Sequence, residues 1–191
     1  AKRSLNLLFA DWANRGLNQW TIEEVSITLA TAIREYPGGT LTMTVGSSTN
    51  FTVAETITGG TSGATASVTS KPSGTSLAIT IPSGTFSNGE TIIGASSGAS
   101  STLGATVDLS DVRSTIDVLS AVVTRDSTDF EIQRVSRSSY LNIPNKAQSG
   151  RPNQFFLDRQ ITPVLKIWPA PDNDTDIVKF NRLTRIDDVD S

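Results

Sequence analysis

Residues 51–64, FTVAETITGGTSGA, return as residues 86–99, FSNGETIIGASSGA. Phe, Glu, Thr, Ile, Gly, Ser, Gly and Ala coincide at an offset of 35 (86 − 51). An alternating run precedes each copy, LTMTV at 41–45 and LAITI at 77–81. Alternation with period two is the mark of a strand that buries one face. Each unit therefore reads as a strand, a Phe anchor and a Gly/Ser hairpin. A single such unit cannot bury its apolar face, whereas two stacked units share a core. Only Glu55, Lys71 and Glu90 carry charge between Gly46 and Thr106. That Ser/Thr/Gly texture is also the texture of disorder, but the repeat and the alternation favour a folded all-β module over 40–106.

On the N-terminal side, Leu5, Leu8, Phe9 and Trp12 fall at i, i+3, i+4 and i+7 and predict a helix over 3–15, stopped by Gly16 after Arg15. Val25, Ile27 and Leu29 then alternate as a strand, and Pro37-Gly38-Gly39 turns the chain. On the C-terminal side, 116–123 and 130–135 read as strands around a turn at 126–129. A short helix is expected from Ser136 to Tyr140, and strands at 152–159, 163–168 and 177–183, the last two separated by the turn 169–173. The expected fold is α+β: an N-terminal helix and an antiparallel β meander, interrupted by the duplicated module. Its divisions are 1–39, 40–106 and 107–191. The chain opens on Ala1 and is helix-like from the start, which makes it an expected segment of a longer protein.

The 191 residues include no His and no Cys, with 16 basic against 19 acidic residues and a net charge of −3. No imidazole relay, thiolate nucleophile, disulfide or thiolate metal site can be built. The chain is expected not to be an enzyme and to take no cofactor. The acidic balance argues against a dedicated nucleic-acid binder. No run of about 18 apolar residues exists to cross a membrane as a helix. Asp172, Asp174 and Asp176 mimic the opening of a calcium loop, but Ile177 and Leu183 stand where Gly and Glu are required, so a solvated turn is expected. Residues 59–63 are glycine-rich without the Lys of a phosphate loop and read as hairpin geometry. Asp187 and Asp188 have nothing to fix them across a substrate as a glycosidase pair. Between 132 and 166, Arg134, Arg137, Lys146, Arg151, Arg159 and Lys166 face the single acid Asp158, a basic stretch suited to an anionic or acidic partner.

Four segments in order resemble a known family: LNLLFADWANRGLNQWTIEE (5–24), RVSRSSYLNIPNK (134–146), GRPNQFFLDRQ (150–160) and LKIWPAPD (165–172). Together they resemble the head-to-tail adaptor, or upper tail tubular protein, of short-tailed bacteriophages. The resemblance covers 1–35 and 107–185; about sixty residues intervene where relatives pass by a short connection. It implies a structural virion protein at the head–tail junction, one of a ring of identical subunits, commonly twelve. Such a ring is clamped between the portal and the tail nozzle, with genomic double-stranded DNA passing through its lumen without sequence-specific binding.

Interface candidates follow from residue type: Arg137, Tyr140, Arg151, Phe155, Phe156, Arg159 and Trp168. The same aromatics also fill cores, and Phe155 and Phe156 must face opposite sides of a strand. Arg151, between Gly150 and Pro152, is expected to meet a neighbouring subunit, with Asp187, Asp188 and Asp190 as acidic partners. The alternative reading is a β-rich carbohydrate- or receptor-binding surface protein of a virion, with the duplicated module as its working end.

Overall fold

The computed structural model describes residues 22–104 and 110–184, together with Asp11 and Arg15. The helix expected over 3–15 lies outside the described residues, apart from Asp11 and Arg15. Those two are joined by a main-chain bond from Arg15 N to Asp11 O (3.0 Å) and an ion pair of 2.8 Å.

The described chain is mainly β, in three sheets, and this corrects the α+β expectation. Among the described residues from Ile22 onward, helix is limited to the four-residue α1 (Ser110–Arg113) and the five-residue α2 (Arg137–Leu141). The reason lies in the residue pattern. Within the strands from Ile22 onward, buried apolar residues fall at alternate positions, as in Val25 and Ile27, Phe155 and Leu157, Leu165 and Ile167, and Val178 and Phe180.

The duplicated segment forms a closed barrel. Its strands are β3 (Thr42–Thr44), β4 (Thr56–Gly59), β5 (Thr65–Ser73), β6 (Ser76–Ile79), β7 (Thr91–Gly94) and β8 (Ser100–Thr102). They run in the order β3-β6-β5-β4-β7-β8, and a Val45↔Leu103 bridge returns β8 to β3. Gly46 N donates to Thr102 O (3.0 Å) and Gly104 N to Thr44 O (2.8 Å) at that seam. Closure leaves no sheet edge unpaired. In the β4–β7 ladder Ile57 faces Gly94 and Gly59 faces Ile92. These are repeat equivalents exchanged, so the ladder reads alike from either strand, as a two-fold axis at the Thr58↔Ile93 pair requires. Phe51 and Phe86 are each 2% exposed and lie in one core with Met43, Ile57, Val68, Leu77, Ile79, Ile92 and Leu103. Val112 of α1 joins this core from beyond residue 106.

The remaining strands make a sandwich rather than a meander. One sheet has the order β1-β14-β9-β10, from β1 (Ile22–Thr28), β14 (Ile177–Thr184), β9 (Thr115–Arg125) and β10 (Thr128–Glu131). The other has the order β11-β12-β13-β2, from β11 (Gln133–Arg134), β12 (Gln154–Asp158), β13 (Val164–Trp168) and β2 (Glu35–Pro37). The first strand pairs with the last, and β11 runs parallel to β12. A parallel pair needs a crossover, supplied here by the segment carrying α2. Val25, Ile27, Val118, Val123, Val178 and Phe180 of one sheet close on Tyr36, Phe155, Leu157, Leu165 and Ile167 of the other. The Tyr36 hydroxyl is buried between them. It accepts from Ala30 N (2.8 Å) and lies 3.1 Å from Ile33 O, and burial pushes its pKa well above the ordinary tyrosine value.

The barrel leaves and rejoins the sandwich at adjacent points. Thr115 Oγ1 donates to Gly38 O (2.7 Å), and the same threonine oxygen accepts from Arg182 Nη1 (3.1 Å). Arg182, 2% exposed, is held in turn by Glu23 Oε2 at 2.8 Å. Insertions are tolerated where their ends lie close together. Replacing 40–113 by a short Gly/Ser linker is therefore expected to leave the sandwich folded, checked by the indole N–H resonance of Trp168 and by dispersed amide resonances of β9, β12 and β14. Loss of those signals would show that the barrel is integral to the sandwich core.

Candidate functional site

The basic stretch seen in the sequence folds onto one edge of the second sheet. Arg134, Val135, Ser136, Arg137, Phe156, Leu157, Asp158 and Arg159 line an open groove there. Ser136 caps α2, its hydroxyl accepting from Ser139 N (3.1 Å), and this sets Arg137 on the groove rim. Tyr140, buried on the same helix, stacks on Phe156 with ring centroids 5.8 Å apart and an interplanar angle of 29°. Alternation along β12 puts Phe155 in the core, 1% exposed, and Phe156 on the outer face beneath Tyr140.

The arginines are organised by an acid distant in the sequence. Asp117 of β9 receives Arg134 Nη2 at 2.9 Å and Arg159 Nη2 at 2.6 Å. Burial pushes the Asp117 carboxyl up, but the bonds from Arg134 and Arg159 outweigh it and hold it below the ordinary carboxylate range. Arg134 Nη1 also reaches Val118 O (3.1 Å), and Val118 N donates to Asp117 Oδ1 (2.9 Å). Here β9 runs beyond the reach of β10, so these side chains satisfy a stretch of strand edge that would otherwise be bare.

Of the sequence candidates, the fold brings Arg137, Tyr140, Phe156 and Arg159 together at this groove. Phe155 lies in the core. Arg151 is exposed and places its guanidinium 3.7 Å from the centroid of the Phe130 ring of its own chain. Its expected acidic partners, Asp187, Asp188 and Asp190, lie outside the described residues. Trp168 is half-buried, and its indole N–H donates to Asn145 O (3.0 Å), pinning the loop that follows α2. No protein-family model, curated protein or solved structure matches this chain. The groove has to be read from its own chemistry. Guanidinium forks beside an aromatic surface recognise carboxylates or phosphates.

Sequence reading passed over a second constellation. Glu90 is buried in the barrel and accepts four bonds: Ser62 Oγ (2.8 Å) and Ser87 N (2.6 Å) on Oε1, Thr61 N (3.0 Å) and Ser62 N (2.9 Å) on Oε2. Glu55 repeats this in the other direction, accepting from Thr52 N (2.6 Å), Ser96 Oγ (3.1 Å), Ser97 N (3.0 Å) and Ser97 Oγ (2.8 Å). Each glutamate is thus held mainly by the hairpin of the other unit, a reciprocal latch across the two-fold axis. The glycines of those hairpins make room. A Cβ at Gly59 would stand 2.7 Å from both Glu90 carboxylate oxygens, and one at Gly94 2.5 Å from Glu55 Oε2. The hairpin at 59–63 is an anion cradle filled by the protein's own carboxylate. The signal was present: two of the three charges in the module stand at equivalent positions.

The calcium-like aspartates also serve the fold. Asp176 receives Arg125 Nε (2.9 Å) and Nη2 (2.6 Å), Asp172 receives the same Nη2, and Asp174 Oδ1 accepts from Thr31 N (2.6 Å).

Proposed function

We propose that this chain is a structural subunit of a head-to-tail adaptor ring in a short-tailed phage particle, set between portal and tail nozzle around the DNA channel. The observation that carries the reading is where the family-like segments come to lie. Residues 134–146, 150–160 and 165–172 build β11, α2, β12 and β13, one continuous layer of a rigid sandwich. That layer turns an arginine-lined groove outward. Ring formation needs a heterologous contact that closes after a fixed rotation, and rigid sheet edges suit it. The excess of acid over base fits a lumen past which DNA slides, since clustered Lys and Arg would hold phosphates by counterion release. The carbohydrate-binding alternative loses its natural ligand platform, because Phe51 and Phe86 are both buried.

Native mass measurement and negative-stain imaging of the full chain test the proposal. The expected result is a closed ring of about twelve copies, in keeping with cyclic symmetry from a heterologous contact. A species that stays monomeric at all concentrations overturns it.

A further inference from the structure

The two edges of the first sheet are opposite in character at the same height. The ladder Ile22↔Leu183↔Asp117 and the ladder Glu23↔Arg182↔Val118 run straight across β1, β14 and β9. At one end lies the outer edge of β1, with Ile22 44% exposed, Glu23, and an exposed Glu24 that has no ion pair among the described residues. At the other end lies the stretch of β9 that β10 does not cover, with Ile116 and Leu119 exposed and Arg134, Arg159 and Arg137 beside it. The acids of that groove are already engaged, Asp117 by two arginines and Asp158 by Lys166 at 3.6 Å. Glu131 of β10 lines the adjoining cleft with Leu119 and Arg134, so Arg137 and Arg159, on the far side of Arg134, form the most basic part of the rim. Arg137 is exposed and has no ion pair among the described residues. The barrel lines a cleft with Ser26, Ile27 and Thr28 of β1, and among the described residues Ile22, Glu23 and Glu24 at the other half of the strand are exposed.

We propose that the Ile22–Glu24 edge of β1 in one copy docks against the Ile116–Leu119 edge and the Arg134/Arg137/Arg159 groove of the next. The occupant of the groove is a second copy of this chain. Apolar residues meet at the centre of the contact, and Glu24 reaches the arginine rim. Because the two patches sit on opposite edges of one sheet, each copy presents both, and the contact propagates head to tail. This inference rests on the ring reading and names the surfaces that make the ring.

The test uses the full chain with Glu24→Arg, Arg137→Glu and the double variant, compared with the unchanged chain by native mass and sedimentation across protein concentration. Each single reversal is expected to raise the concentration needed for assembly by about tenfold or more, as like charges now oppose across the contact, with melting temperature unchanged. The double variant, with both signs exchanged, is expected to assemble nearly as the unchanged chain does. If the unchanged chain forms rings and the single variants assemble equally well, or the double variant is no better than either, this contact is wrong while the ring reading stands. If the unchanged chain never assembles, the ring reading falls and this contact with it.

Discussion

Glu90→Gln is expected to destabilise the barrel by about 3 kcal/mol, although the change is nearly isosteric. All four groups that meet the Glu90 carboxylate are donors, two on each oxygen. Turned one way, a glutamine amide sets its NH2 against the Thr61 and Ser62 N–H groups; turned the other way, against the Ser87 N–H and the Ser62 hydroxyl, of which only the hydroxyl can accept. A buried donor left unpaired costs about 1–3 kcal/mol, and bonds to a charged acceptor are worth about twice neutral ones. The same physics sets an acid limit. Burial alone would raise the Glu90 pKa; the bonds from Ser62, Ser87 and Thr61 outweigh it and hold it at about 2, against an ordinary value of 4.5. With the folded value depressed, the stabilisation is complete above pH 4.5 and is lost as the pH falls toward 2. Glu55 is shifted in the same direction for the same reasons. Barrel stability is therefore expected to fall between those pH values in the unchanged chain and to fall less steeply in Glu90→Gln. The 40–106 segment contains no tryptophan, so hydrogen exchange of barrel peptides is the suitable measurement. An equal pH slope in both proteins would mean that the latch contributes nothing.

Phe86→Ala, and equally Phe51→Ala, is expected to cost about 3–5 kcal/mol, the range for removing a fully buried aromatic ring without collapse of the cavity. Both rings are 2% exposed in one core, and the two-fold relation makes their surroundings alike. The two costs should therefore agree to within about 1 kcal/mol, the spread left by local relaxation. Urea unfolding followed by barrel amide exchange measures both. A cost under about 1 kcal/mol at either site would indicate that the core refills and that the ring is not the anchor of its unit.

Much of the barrel was legible because its cause is local and periodic. Leu41, Met43, Leu77 and Ile79 alternate with Thr, Ser and Ala, the two Phe anchors recur at a fixed offset, and duplication demands a shared core. The latch was written in the same repeat, yet its meaning depends on which hairpin each carboxylate reaches. Glu55 and Glu90 stand immediately before β4 and β7, which the two-fold axis brings side by side, and strand pairing is not stated by either copy alone. The sandwich was less legible. Its strands were largely visible from alternation, but the pairing of β1 with β14, some 150 residues apart, and the parallel β11–β12 contact are decided by which apolar faces fit together after closure.

The amino-acid sequence by itself determined the inventory: a duplicated module, strands alternating with period two, a basic stretch over 132–166, and no imidazole or thiol for chemistry. Only the tertiary structure decided what those residues do. It sank Phe155 into the core while leaving Phe156 on the outer face, laid Arg151 on Phe130, and brought Asp117 to Arg134 and Arg159 across the sandwich. Periodicity reports which face of a strand is buried, because burial repeats along the chain. It does not report which distant charge a side chain will meet, because that is set by the packing of whole sheets.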